Sequence, residues 1–246
     1  MWRIYHEWMD KPSVAILGAG SMGGIFAAGL VRAGWEPASI SLAVRRPERG
    51  RELELTVGST WTLDAAEAAA DHDVIVISVK PKDVPGLLDH VSGTVRPQQT
   101  VVSIAAGVPL SVFEKAMPDV PIVRAMPNTP SAVDRGMTAF TVGTSVGPDE
   151  RDRAAAVLGA VGETIELSED LLDAVTAVSG TGPAYVFLLA EALIEAAIRE
   201  GLPHHAAEKL VHQTLRGSGE LLATSEKSAF RLRGEVTSPG GTTAAA

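Results

Sequence analysis

Val14-Ala15-Ile16-Leu17-Gly18-Ala19-Gly20-Ser21-Met22-Gly23-Gly24 is the stretch that decides the fold. Four apolar residues run into three glycines at G-x-G-x-x-G spacing, and an Ala-rich helical pattern follows over 22–33. Gly18 permits a tight turn, Gly20 lets the backbone approach a pyrophosphate, and Gly23 lets the helix pack closely on the strand. The start of that helix adds unpaired N–H groups and the positive end of a dipole. Glycine spacing alone is a weak signal. A strand before it and a helix after it turn it into a dinucleotide site rather than a plain turn.

Outward from this stretch, short β-branched runs at 40–44, 74–79, 101–104 and 122–125, and a weaker one at 137–142, alternate with helical patterns. Those patterns fall at 64–70, 84–90, 110–115 and 149–161. Runs that are apolar throughout suit parallel strands buried on both faces. The alternation predicts a doubly wound, Rossmann-like parallel sheet over 13–168, preceded by an N-terminal extension over 1–12 with Met9 an alternative start. From Asp170 onward helical periods replace strands. In 184–200, Val186, Ala190, Leu193 and Ala197 share one stripe, with Glu191, Glu195 and Arg199 opposite. Gly201-Leu202-Pro203 stops that helix and starts another. A helical domain over 169–246 is marginal by itself, so its stripes are expected to meet a second copy in a homodimer.

Three further segments end strands on the side where open α/β sheets bind ligands. They are Ser78-Val79-Lys80-Pro81, Ala105-Ala106-Gly107 and Met126-Pro127-Asn128-Thr129-Pro130. Small residues and prolines there make a rigid wall for a flat nicotinamide. The second strand ends in Arg45-Arg46, where an NAD-preferring fold would show an acid. A guanidinium at that place suits a 2′-phosphate, so NADPH is expected over NADH, with Arg45 the favoured contact. The bland alternative is a solvated face in which Arg45, Arg46, Arg49 and Arg51 are balanced by Glu48, Glu52 and Glu54.

Composition narrows the classes. Across 246 residues, 46% are hydrophobic, 21% are charged and the net charge is −9. Such an acidic chain is a poor general partner for nucleic acid or an anionic membrane. There is no cysteine, which excludes a disulfide scaffold, a thiol nucleophile and a thiolate metal site, and fits a cytoplasmic home. The most apolar run, Val74-Ile75-Val76-Ile77, is far short of a membrane span, so no spanning segment is expected. The first ten residues lack the pattern of a signal peptide. His204, His205 and His212 have no acidic partner at ligand spacing, and no metal site is expected.

These motifs together resemble the pyrroline-5-carboxylate reductase family, the enzymes of the last step of proline synthesis. The resemblance covers residues 13–243. It rests on residues 18–24, 79–81, 103–108 and Arg124-Ala125-Met126-Pro127-Asn128-Thr129-Pro130. Its most specific strings are Asp173-Ala174-Val175-Thr176, Ser179-Gly180-Thr181-Gly182-Pro183-Ala184-Tyr185 and Val236-Thr237-Ser238-Pro239-Gly240-Gly241-Thr242-Thr243. It implies a Rossmann domain with a helical dimerisation domain, as a homodimer or a ring of dimers. It further implies NAD(P)H-dependent reduction of the C=N bond of 1-pyrroline-5-carboxylate to L-proline.

Carried over by position, Leu17, Gly18, Ala19, Gly20, Ser21, Met22 and Gly23 lie along the pyrophosphate. Residues 78–81, 105–107 and Asn128 line the ribose and nicotinamide. Ser238, Gly240, Gly241, Thr242 and Thr243 hold the substrate, and Glu169 lies near the product ring. Thr243 is the expected catalytic residue, its hydroxyl orienting the ring nitrogen rather than acting as a strong acid. The Gly-rich segment at 179–185 lacks the lysine of a phosphate loop and is expected to allow close helix packing.

Three departures stand out. Ala65 replaces a frequent asparagine, Glu235 replaces a frequent neutral amide and brings an extra carboxylate toward the substrate, and the last helix is expected to be cut short. Two rival functions remain: a two-domain hydroxyacid dehydrogenase and a non-catalytic NADP-binding sensor. The first typically places a lysine in the helix after the Gly-rich turn, and 184–200 contains none.

Overall fold

Valine, isoleucine and leucine on consecutive positions can be buried only if both faces of a strand are covered. The computed structural model, which describes residues 11–245, shows how this is achieved. β1 (Val14–Leu17) and β4 (Val74–Ile77) are buried at every residue. Alternate side chains serve opposite layers, as the period of two along a strand requires. Val14 and Ile16 pack with Phe26 and Leu30 on one face, and Ala15 and Leu17 with Ile75, Ile77 and Phe113 on the other.

In chain order the remaining elements of this part are α1 (Ser21–Arg32), β2 (Ile40–Ala43), α2 (Pro47–Val57), β3 (Thr60–Thr62), α3 (Ala65–Ala69), α4 (Val84–Val91) and β5 (Thr100–Ser103). α5 (Leu110–Ala116), β6 (Ile122–Met126), β7 (Gly136–Val142), α6 (Pro148–Gly159) and β8 (Gly162–Glu166) complete it. The eight strands lie in the order β3-β2-β1-β4-β5-β6-β7-β8, with the switch in connection direction between β1 and β4.

The sheet is the expected doubly wound, parallel-dominated one, with a single reversal where β7 runs antiparallel to β6. Only residues 127–135 join the two strands, through the 3₁₀ turn Thr129–Val133. A parallel return needs a crossover of a dozen or more residues, so this link can only fold back. The strands β3 and β8 and the helix α2 escape the sequence pattern. β3 is a three-residue edge strand, β8 (Gly162-Glu163-Thr164-Ile165-Glu166) has a single large apolar residue, and α2 is rich in charged residues. Its exposed charges resemble a solvated face, yet Leu53 and Val57 are buried and Trp61 lies where a Cβ of Gly50 would be.

The described chain divides into two compact units, the first ending at Pro183 and the second beginning at Ala184. The matching of sequence periods places the change at 168 instead. Residues 1–10 of the expected N-terminal extension lie outside the described residues. Lys11 and Pro12 are tied to the first unit, Lys11 Nζ donating to the Ala33 carbonyl (2.7 Å) and Trp35 Nε1 donating to the Pro12 carbonyl (2.9 Å).

After the 3₁₀ turn Glu169–Leu171 come α7 (Leu172–Val175), a π turn (Thr176–Gly180) and α8 (Gly182–Arg199). α9 (His204–Thr224), α10 (Ala229–Val236) and α11 (Thr242–Ala245) follow. Gly201 has φ of +95° and ends α8 as expected, and Glu195 pairs with Arg199 at 3.6 Å. No residue of α8 is buried within one chain; Phe187, Leu188, Leu189 and Ile198 are all exposed.

The expectation that nothing is long enough to span a membrane is also corrected. Residues Glu169–Arg199 form a 31-residue helical run with a most apolar window of mean hydropathy 1.4, long and apolar enough by those measures alone. Alanines and glycines between the larger residues keep the run apolar without any long uninterrupted aliphatic string. The expected lack of acidic partners for the histidines is corrected as well, because Glu208 lies one helical turn beyond His204, with 3.4 Å between Nδ1 and Oε2. Among the described residues no group of three metal-ligating side chains converges.

Candidate functional site

Backbone hydrogen bonding puts three of the sequence-picked segments side by side at the carboxyl edge of the sheet. Gly18 and Ala19 both donate to the Ala43 carbonyl at 3.0 Å, Ser78 donates to the Leu17 carbonyl at 2.9 Å, and Ile104 donates to the Ile77 carbonyl at 3.0 Å. The Gly18–Gly23 turn therefore stands at the switch point, beside residues 78–81 and one strand away from Ala105-Ala106-Gly107. Open α/β sheets bind their ligands in this crevice.

The glycines differ in what they are for. Gly18 takes φ of +92°, and a Cβ there would come to 2.6 Å from Val79 Cγ1 and 3.1 Å from Val79 N. At Gly23 a Cβ would lie 2.9 Å from both the Gly18 carbonyl and Ser78 Oγ. Those two positions serve backbone shape and packing. At Gly20 the nearest atom to such a Cβ is 3.9 Å away, so this position faces open space above the turn. No side chain caps the start of α1. Its first N–H groups have no helical acceptor, as at any helix start.

Ser78 Oγ is buried and has no partner among the described residues. A buried hydroxyl without a partner costs about 1–3 kcal/mol and calls for an acceptor or donor from outside the chain. An open approach over Gly20, an uncapped helix start and this orphan hydroxyl fit a dinucleotide. Lys80 is exposed and begins the 3₁₀ turn Pro81–Asp83, while Ala105 is buried and Gly107 takes φ of +73°.

At the end of β2, the favoured contact Arg45 is 78% exposed and paired with Asp83 at 3.3 Å. Arg46 instead shares a groove with Gly20 and Ser21. Arg49 Nε donates to the Ala19 carbonyl at 3.1 Å, and Nη2 to the Gly20 carbonyl at 2.9 Å. Sequence alone gives no signal for Arg49, one of four arginines within seven residues.

Two expected ligand contacts have their side chains committed elsewhere. Asn128 Nδ2 donates to the Ser179 carbonyl (3.1 Å) and Oγ (3.3 Å), while Oδ1 accepts from Met137 N (2.9 Å). The amide thus ties the π turn to the sheet edge. Glu169 Oε1 accepts from Arg124 Nη1 and from Leu110 N, each at 2.8 Å. Arg124 is the other residue missed, and its signal is a single charge inside an otherwise apolar strand. At Gly180, within the segment expected to allow close helix packing, a Cβ would lie 2.5 Å from Cε of Met126, so the neighbour here is a side chain of strand β6 rather than another helix.

At the position of the frequent asparagine, Ala65 begins α3, directly after Asp64. Asp64 accepts from the Ala66 amide (2.8 Å) and lies 2.7 Å from His90 Nε2. The bond to His90, aided by the amide, holds the Asp64 carboxyl below its ordinary range.

In the second unit, Gly240 takes φ of +71°, and Gly241 donates to the Ser238 carbonyl at 3.0 Å, closing a turn into α11. The Gly241 amide is therefore used within the turn. The Thr243 hydroxyl has no hydrogen-bond partner among the described residues. Glu235, expected to add a carboxylate at the substrate, is instead paired with Lys227 Nζ at 2.8 Å and with Arg231 Nε at 3.7 Å.

Fold and site together define a nucleotide-binding Rossmann domain in a chain that continues as helices. The family model described as "Pyrroline-5-carboxylate reductase dimerisation" matches residues 169–246, and the one described as "NADP oxidoreductase coenzyme F420-dependent" matches residues 13–107. A pyrroline-5-carboxylate reductase of Corynebacterium melassecola is 39% identical, covering 95% of this chain and 88% of its own. Among solved structures, the Coxiella burnetii pyrroline-5-carboxylate reductase matches with a TM-score of 0.89 and 35% identity over 96% of this chain and 88% of that one. The Plasmodium falciparum enzyme, crystallised with NADP bound, matches with a TM-score of 0.85 and 28% identity over the same shares. This chain belongs to the pyrroline-5-carboxylate reductase family.

Proposed function

We propose that the protein reduces the C=N bond of 1-pyrroline-5-carboxylate to give L-proline, with NADPH preferred over NADH. The observation that carries this reading is the adjacency of the tight Gly18 turn, the uncapped start of α1 and residues 78–81 at the switch point, in a chain related along both its parts to such reductases. When bound, NADPH supplies the hydride that the imine carbon receives. The chain's own residues bind and orient. The α1 amides and the residues from Leu17 to Gly23 seat the pyrophosphate, Ser78 Oγ gains the partner it lacks, and residues 105–107 form a wall beside the nicotinamide. Asn128 contributes by tying the π turn at Ser179 to the start of β7 rather than by a side-chain contact with the ligand.

The turn from Ser238 to Thr243 holds the substrate carboxylate with the amides of Gly240, Thr242 and Thr243, and the Thr243 hydroxyl bonds the ring nitrogen. Glu169 offers the product ring only Oε2, because Oε1 is committed to Arg124 and Leu110. The apolar surface of α8 is covered by a second copy, in a homodimer or a ring of dimers, with no membrane or nucleic acid partner and in the cytoplasm.

The deciding assay compares NADPH oxidation with 1-pyrroline-5-carboxylate against NADPH oxidation with a panel of 2-keto acids and NADP+ reduction with a panel of 3-hydroxy acids. Turnover of the imine alone is expected. Turnover confined to the panel assigns a hydroxyacid dehydrogenase, for which α8 lacks the usual lysine. Binding without any turnover assigns a sensor.

Two substitutions test the site. Arg46 lines one groove with Gly20 and Ser21, whereas Arg45 is paired with Asp83. Arg46→Ala is therefore expected to weaken NADPH by about tenfold while leaving NADH within about twofold, as loss of a charged hydrogen bond predicts. Equal losses for both dinucleotides remove the 2′-phosphate assignment. Thr243→Ala is expected to lower kcat by about ten- to a hundredfold with NADPH affinity unchanged, the range for a lost orienting contact. An unchanged kcat makes Thr243 a helix cap.

A further inference from the structure

We propose that Arg49 is a positioning residue for the dinucleotide: it locks the two peptide planes at the head of α1, and Gly24 is the socket that lets it reach them. The proposal rests on the reading of residues 17–23 as the pyrophosphate seat. The Arg49 side chain is 26% exposed, and each of its three guanidinium nitrogens meets one oxygen. Nε takes the Ala19 carbonyl, Nη2 the Gly20 carbonyl and Nη1 the Glu52 carboxylate at 2.7 Å.

The Gly20 carbonyl also accepts the first helical bond of α1, from Gly24 N at 3.1 Å. Two donors on one carbonyl fix its direction. Because a peptide is planar, the N–H of Ser21 is then held pointing the opposite way, toward the open side of the turn. Arginine's rigid fork can hold two successive carbonyls at once, which a lysine cannot.

Gly24 lies outside the three-glycine motif and has no φ that demands glycine. A Cβ there would overlap Arg49 Nη2, the first atom it would meet, and come within 3.5 Å of Cζ. The missing side chain makes room for the guanidinium. Arg49 also stands in the first turn of α2, where a positive charge opposes the helix dipole. It is kept there against a local preference, and its partners across 29 and 30 residues supply the reason. Since Glu52 balances its charge, Arg49 acts through turn geometry, which NADPH and NADH share.

The test measures NADPH and NADH dissociation constants by calorimetry, together with melting without nucleotide, for the full chain and four variants. These are Arg49→Ala, Arg49→Lys, Gly24→Ala and the Arg49→Ala/Gly24→Ala double variant. Arg49→Ala is expected to raise both constants by about tenfold and by the same factor, the scale of lost hydrogen bonds to a charged donor. Arg49→Lys is expected to fall between it and the original. Gly24→Ala should weaken both dinucleotides, and the double variant should be no worse than Arg49→Ala alone, because the two act through one contact.

Lower melting with unchanged dissociation constants overturns the proposal in favour of a purely structural arginine. So does a loss confined to NADPH, or losses that multiply in the double variant. An original chain that binds neither dinucleotide overturns the underlying reading of the turn, and the proposal with it.

Discussion

Gly18→Ala is expected to destroy dinucleotide binding and to destabilise the fold, whereas Gly20→Ala, two residues away, destroys binding alone. At Gly18 the new methyl meets Val79 side chain and backbone at 2.6 and 3.1 Å, and φ is +92°. Left-handed strain costs about 1–3 kcal/mol for a residue other than glycine. Overpacking in a tight site adds about 1–3 kcal/mol more. The turn must move, and with it the amides at the head of α1. Calorimetric affinity is expected to fall by at least about a hundredfold, roughly 2.7 kcal/mol. Unfolding in urea should show about 3 kcal/mol lost.

At Gly20 the methyl has 3.9 Å of clearance and φ is −76°, so urea unfolding should be unchanged within about 0.5 kcal/mol. The methyl does occupy the space a pyrophosphate would enter, and affinity should drop as steeply as in Gly18→Ala. Full affinity in Gly20→Ala would move the pyrophosphate away from this turn.

The second large effect concerns stability. Glu169→Ala leaves Arg124, whose side chain is only 10% exposed, without its closest carboxylate. It also removes the acceptor for Leu110 N at the start of α5. Removing one partner of a fully buried pair costs about 3–5 kcal/mol. Here Glu169 is 36% exposed, and Asp173, 3.9 Å from Arg124 and itself well solvated, remains nearby. Screening by water brings the expected loss down to about 2 kcal/mol.

Glu169→Gln keeps an acceptor and should lose about half as much. Replacing both partners, as in Arg124→Leu/Glu169→Leu, should recover part of the loss, because no charge is then left unpaired. A double variant as unstable as the sum of the single ones would show that the two residues do not act as a pair.

Much of the nucleotide end was legible before folding. The Gly18 turn is a local steric requirement, and the strands from Val14, Val74 and Ile122 announce themselves by short, largely apolar runs rich in Val and Ile. The edge strand Thr60–Thr62 and the helix Pro47–Val57 were not legible, since neither carries enough apolar surface to show a period. Among site residues, the difference lies in sequence separation. The sequence points to Asn128 as a ligand contact, yet its side chain bonds Ser179, 51 residues on, and Met137. Arg124 and Glu169 meet across 45 residues, and Arg49 reaches back 29 to Gly20.

Sequence by itself determined where the backbone had to turn tightly, which runs had to be buried on both faces and where the strands give way to helices. These are properties of neighbouring residues: sterics at φ, side-chain periodicity and apolar content. Tertiary structure alone decided that Arg45 turns to Asp83, that Arg49 grips the glycine turn, and that Glu169 and Asn128 are held by Arg124 and Ser179. Such pairings follow from which strand lies next to which, and no local property of a charged or amide side chain encodes a partner several strands away.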